Sequence, residues 1–415
     1  MTTTRTPRSG PDLRAVGDAP ADAAVLEYLA TQPALDPRHL VGRLIATADP
    51  CTAETPTPQL TALLGAGVDA LPPWRDQALL TRGQRFFEAN GLPIATALFC
   101  ASLPTAYLSA DGAQVIAITG DLVSNTHRRV AETAQLLTAV MDLGDQDEGI
   151  PLAPDTPGFR AAIGVRLMHA SVRAFIASDP QASDRYQAPA TEVPINQEDL
   201  TGTLLTFTTV VFRALERMGL DIDPLDAEAY LHTWCVVGHL LGIRPDLLPL
   251  DLAQASELDE AIRCRQTRTS DDGIALMGAL RREMQANMPP GLRRFPDALV
   301  HEFIGTDAAA SLGVPPPGWT RVLFLAGRAG ARLWSHAPGR SARSFVGRAF
   351  ARRMIRSYID RDRGGSRPPW DYARYATSWK LDPLRRRVQR QARSQRTRWT
   401  DRRRSEPTGP TTETR

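Results

Sequence analysis

In residues 158–178, GFRAAIGVRLMHASVRAFIAS, steps of three and four put Ala162, Val165, His169, Val172 and Ile176 on one helical stripe. A lone imidazole on an aliphatic face serves either as a satisfied packing group or as a ligand. Arg166 stands one turn before it and Arg173 one turn after. Guanidinium groups flanking an apolar histidine suit an axial haem ligand, with the porphyrin plane on the stripe and its propionates meeting the arginines. Histidines on apolar faces pack more often than they ligate, so the stripe by itself leaves both readings open.

Two further segments carry polar groups at helical spacing. In DAEAYLHTWCVVGHLLGI, residues 226–243, His232 and His239 are seven apart and share a face. Seven residues is about 10 Å of helix, too far for both to bind one ion, so packing of a central helix accounts better for the pair. In NTHRRVAETAQLL, residues 125–137, Arg129, Glu132 and Thr133 fall on one face, for which a surface ion pair is the plain reading. No HExxH pair occurs. Cys51, Cys100, Cys235 and Cys264 lack the close spacing of zinc or redox sites and are expected to be reduced and mostly buried.

The elements that must position these groups are helices. Apolar residues recur at helical period over 21–29, 60–71, 76–89, 123–143, 158–177, 199–218, 226–241, 252–264, 272–288 and 294–308. Only 114–119, QVIAIT, alternates enough to suggest a strand or an extended connection. Residues 89–110 carry no formal charge and are long enough to cross a bilayer, but Asn90, Pro93 and Pro104 favour a buried helix broken at its prolines. Asn196 is placed to cap the helix that follows it, and Gly219 to end it. The absence of repeated βαβ units argues against a Rossmann or barrel enzyme.

Composition agrees. With 42% hydrophobic residues and 49 basic against 46 acidic side chains, the chain is a globular protein, not a disordered one. Lys380 is the only lysine. Residues 384–404 hold ten arginines against Asp401, a balance of +9, which leaves the remainder at −6 within the overall +3. The basic tail, 381–415, is expected to be disordered and to contact anionic surfaces weakly. With Trp399 as its only aromatic it lacks the interleaving of a specific nucleic-acid binder. Residues 1–20 are expected to be a flexible N-terminus. They show no apolar core of an export signal, so a cytoplasmic location is the expectation. Residues 21–380 then form a single large all-α domain.

HRRVAET at 127–133, GVRLMHASVR at 164–173, PINQEDL at 194–200, HTWCVVGHLLGI at 232–243 and HEFIGTDAAASLGVP at 301–315 occur together and in order. In this combination the chain resembles the latex clearing protein, or rubber oxygenase, family, which shares a catalytic domain with the fungal mycophenolic-acid-pathway oxygenases. The resemblance is strongest over residues 84–319. It implies a helical fold with a globin-like core holding haem b, with His169 as iron ligand and Arg166 and Arg173 beside the haem. It also implies an oxygenase that brings dioxygen to a small apolar alkene or isoprenoid.

The family's rubber-cleaving members carry an Arg-x-x-Lys-Thr run on the distal helix. Here Arg129, Glu132 and Thr133 occupy it, with Glu132 in place of the lysine. Distal lysine ligation therefore does not transfer, and the three residues are read as the catalytic group that orients dioxygen or moves a proton. The alternative is a non-catalytic helical scaffold, haem-binding or haem-free.

Overall fold

The computed structural model describes residues 11–31, 56–64, 71–119, 126–141, 152–154 and 156–335. In chain order the helices are α1 (Ala19–Thr31), α2 (Pro58–Leu64), α3 (Gln77–Ala89), α4 (Gly91–Ala97), α5 (Leu103–Tyr107), α6 (Ala110–Thr119), α7 (Thr126–Met141) and α8 (Pro157–Ser178). There follow α9 (Pro180–Arg185), α10 (Gln197–Thr206), α11 (Thr209–Arg217), α12 (Pro224–Leu240), α13 (Leu252–Gln266), α14 (Asp271–Ala286), α15 (Phe295–Ile304), α16 (Thr306–Ser311) and α17 (Thr320–Ser335). Among the described residues the only β feature is an isolated bridge, Ser109 to Thr267. The fold is all-α, as expected. Cys51 and the basic tail, 381–415, lie outside the described residues.

Side-chain caps start the helices where the sequence supplies them. Asp76 accepts from the amides of Ala78 and Leu79, Thr156 from Phe159, Asn196 from Asp199, and Ser270 from Gly273; such caps contribute about 1 kcal/mol each. Gly219, at φ +83°, follows the last turn of α11 in the left-handed region.

Four expectations are corrected. The stretch 114–119 is the body of α6, which buries Ala113 and Val115 and packs on α14; tertiary packing overrides β propensity. The helix expected over 199–218 is two, α10 and α11. Thr206, Thr208 and Thr209 send their hydroxyls back to carbonyls of the preceding turn, and Ser102 Oγ takes the Thr206 carbonyl at 2.6 Å.

Over 89–110 the sharp change of direction, 83°, falls at Asn90 and not at the prolines. Pro93 lies in the first turn of α4, where an amide is dispensable. Pro104 follows a π turn, Leu98–Ser102, in which the Leu103 amide reaches the Leu98 carbonyl. Finally, residues 11–20 are not a loose end. Pro11–Ala15 is a 3₁₀ turn, and its buried Arg14 holds Asp111 at 2.7 Å, Glu192 at 2.6 Å and Asp199 at 3.3 Å.

The core centres on α12, where Trp234 stacks on Phe207 at 4.4 Å and Tyr230 meets Phe86 and Phe212 edge-on. Gly83 brings α3 against α12 so closely that a β-carbon there would stand 2.3 Å from Thr233 Oγ1 and 2.5 Å from the Ala229 carbonyl. Among the described residues no single helix is long and apolar enough to cross a membrane, although the bent pair Gln77–Ala89 and Gly91–Tyr107 passes by length and composition.

Candidate functional site

One face of α8 forms part of the wall of a cavity of about 840 Å³, within the usual range for ligand sites. Val165, Met168, His169 and Val172 come from α8; Phe99, Leu103 and Tyr107 from the α4–α5 segment; Ile116 from α6; Arg129, Glu132, Thr133, Leu136 and Leu137 from α7. Trp234, Phe207 and Asp199 complete the part that matters here. A surface depression along Gln77, Thr81 and Arg82 has no such convergence of chemistry.

The structure thus brings together four of the six residues singled out from the sequence. His169 is half-buried as a residue, and its Nδ1 is enclosed with no hydrogen-bond partner. Burial, and then the charge of Arg173, push its imidazole down to about 3, with Asp18 acting the other way. His169 is therefore neutral near pH 7, the form that offers a lone pair to a metal.

Glu132 is 7% exposed and faces the same cavity. Arg129 donates from Nη1 to the Ile116 carbonyl at 3.3 Å, and Thr133, largely exposed, returns its hydroxyl to the Arg129 carbonyl at 3.0 Å.

Arg166 and Arg173 are placed differently, since neither lines the cavity. Arg166 makes a bidentate pair with the buried Asp18, Nε to Oδ2 at 2.6 Å and Nη2 to Oδ1 at 2.9 Å. Arg173 donates from Nε to Asp22 at 2.8 Å and from Nη1 to the Ile195 carbonyl at 3.1 Å, while its Nη2 is enclosed without a partner. The residues present fit a haem at His169: a neutral, orphaned imidazole in an apolar wall, with one buried guanidinium nitrogen of Arg173 still unspent. Arg166, already saturated by a carboxylate, does not fit as a second propionate partner in this arrangement.

His232 and His239 stay out of the site. The Asp76 amide donates to His232 Nε2 at 2.9 Å, and Trp74 meets both rings edge-on. Burial lowers both imidazoles from their ordinary value. No group of three or more His, Cys, Asp or Glu able to hold a metal ion occurs among the described residues.

Sequence reasoning missed Asp199, whose carboxyl burial pushes up to about 6 against the pull of Arg14. It was legible only as the third residue of a capped helix. It also missed Asp18 and Asp22, single acids with no pattern to mark them, and Tyr107, hidden in an uncharged run.

A helical domain closed around an apolar cavity, with one neutral histidine in its wall, defines a class: all-α proteins that enclose a small apolar ligand beside a potential metal ligand. Residues 94–334 match the family described as ER-bound oxygenase mpaB/B'/Rubber oxygenase, catalytic domain, and the chain belongs to that family. Over 189 residues it is 29% identical to the rubber oxygenase of Streptomyces sp. (strain K30), an alignment spanning 43% of this chain and 42% of that protein. The structure of latex clearing protein in its closed state superposes with a TM-score of 0.64 at 21% identity, over 84% of this chain and 91% of that one.

Proposed function

We propose that this chain is a haem-dependent oxygenase that acts with dioxygen on an apolar alkene, and that its core is the globin-like arrangement the resemblance implies. The observation that carries the reading is His169: neutral, with an orphaned ring nitrogen, on the wall of an apolar cavity in a chain of this family. His169 would hold the iron of haem b, and Arg173 Nη2 is the donor left for a propionate. Bound haem supplies the electron chemistry of dioxygen activation, which no side chain can.

The protein's own residues do the rest. Leu136, Leu137, Val165 and Met168 exclude water and align a hydrocarbon chain. The buried Glu132 and the Thr133 hydroxyl supply the polar groups of that wall, and Glu132 is the group able to hold or move a proton. The second reading, a non-catalytic scaffold, is favoured by one observation, the saturation of Arg166 by Asp18.

A pyridine-haemochrome assay separates the two. Wild type, His232→Ala and His239→Ala are expected to carry haem, and His169→Ala to lose most of it. Equal haem in His169→Ala and wild type would remove the ligand assignment, and no haem in any of them after supplementation would leave the scaffold.

A further inference from the structure

Most large apolar side chains that reach the surface do so singly, but α17 gathers them. Of the eleven exposed among the described residues, seven stand apart on different elements and loops. The other four fall within seven positions: Trp319 at 60% exposure, Val322 at 66%, Leu323 at 39% and Leu325 at 45%. Steps of three and four make them neighbours on one side of the helix, with Trp319 just before its first turn. Ala326 and Ala329, also exposed, continue the stripe. The side toward α15 is already used: Phe324 is buried and meets Phe303 edge-on at 5.9 Å, and Arg321 pairs with Glu302 at 2.7 Å. Scattered surface hydrophobics are ordinary, whereas a contiguous set marks a surface that something covers.

Charge says what covers it. Residues 319–335 contain arginines and no acid, and the 80 residues that follow, 336–415, hold 21 arginines and Lys380 against seven acidic residues. A nucleic acid would use that charge and leave Trp319, Val322 and Leu325 idle. A second copy packed isologously through α17 would cover them, but would bring two strongly cationic segments side by side. The following segment laid back on the face would leave its own charge unmet. A surface with hydrocarbon inside and anions outside satisfies both features at once, and the headgroup boundary of an anionic bilayer is such a surface.

We infer that α17 is a docking helix for anionic membranes, with Trp319, Val322, Leu323 and Leu325 entering the headgroup boundary and the basic residues beyond 335 holding the protein there. The helix lies on the surface, since it is not long and apolar enough to cross a bilayer. α15 stands between this face and the cavity, meeting α17 through Phe303 and lining the cavity with Phe295, Pro296 and Leu299. A protein docked in this way would draw an apolar substrate from the bilayer. That use rests on the proposed function, whereas the docking itself does not.

The test is co-sedimentation of the full chain with vesicles of phosphatidylcholine, alone or with about 30% phosphatidylserine. Wild type is expected to partition at least tenfold more strongly to the anionic vesicles and to be released as salt screens the charge. The triple variant Trp319→Gln, Val322→Gln, Leu325→Gln keeps the net charge and is expected to lose roughly tenfold or more of that partitioning. Replacing Arg385, Arg386, Arg387 and Arg390 by Gln is expected to lose about tenfold with the face intact. Brominated lipid is expected to quench tryptophan fluorescence in wild type and to quench it less in Trp319→Phe. The urea midpoint of the triple variant is the fold check; if it falls, Val322→Gln alone takes its place.

Equal partitioning to the two vesicles, a triple variant that binds like wild type, or quenching unchanged in Trp319→Phe would overturn the inference. Wild type that dimerises without lipid, beside a triple variant that is monomeric and binds vesicles equally, would assign the face to a second copy and overturn it too. His169→Ala is expected to bind vesicles like wild type. Vesicle binding retained in a protein that never takes up haem leaves the docking face standing while the oxygenase reading falls.

Discussion

The two sides of α8 solve opposite problems with the same residue types. On the side toward α1, Arg166 and Arg173 meet Asp18 and Asp22 in short, directed pairs. On the cavity side, His169 Nδ1 has no partner, and across the space Arg129 carries its charge without a carboxylate among the described residues. A buried polar group costs stability unless it is satisfied. The first side has been completed from within the chain but for Arg173 Nη2, whereas the second leaves its imidazole nitrogen and its guanidinium without such carboxylate partners.

Breaking the saturated side should have the largest effect. Asp18 is 3% exposed and bidentate to Arg166, so Asp18→Ala leaves a guanidinium half-enclosed and uncompensated. Urea denaturation is expected to show a loss of about 3–5 kcal/mol. A loss below about 1 kcal/mol would mean that the pair is solvated and that the two sides of the helix do not differ.

The unsaturated side can be sharpened by pH. Folding holds His169 down at about 3 from an ordinary 6.5, so the folded state binds fewer protons than the unfolded one across that window. The sign follows: stability is full above about pH 6.5 and falls as pH drops toward 3, by about 1.4 kcal/mol per unit. Wild type compared with His169→Leu should show this difference in stability from pH 6.5 to 5.5. Parallel profiles for the two proteins would show that the imidazole is solvated.

The smallest effect is expected at the histidines that the structure places outside the site. His232→Ala gives up one acceptor for the exposed Asp76 amide and an edge contact with Trp74, and should cost less than about 1 kcal/mol in the same titration.

How much of this was legible in the sequence follows from the range of each interaction. The stripe through His169 repeats every three to four residues, so one segment displays it, and the face shared by Arg129, Glu132 and Thr133 was equally local. Their convergence on one cavity was carried by the family resemblance and not by periodicity. Asp18 and Arg166 are 148 residues apart and carry no pattern, which is why residues 11–20 read as a loose terminus. The division of α10 from α11 was written in Thr206, Thr208 and Thr209, but the acceptor that Ser102 needs there is visible only in three dimensions. Tyr107 falls in a stretch remarkable only for having no charge, and its neighbour Arg129 is brought to it by the fold.

The contact at Gly83 bears on how a ligand gets in. Where α3 meets α12, backbone faces side chain and carbonyl with no layer of flexible groups between them, so the two helices have nothing to slide on. That seam is a fixed spine. α7 is pinned to α8 in the same way near its C-terminal end, where a β-carbon on Gly158 would stand 2.7 Å from the Ala139 carbonyl, so the breathing that admits a ligand falls to its N-terminal half, tied to α14 by the His127–Glu283 pair. The end of α7 that presents Arg129 and Glu132 would then be the end that moves, so that the polar part of the cavity wall and the way in are the same piece of chain.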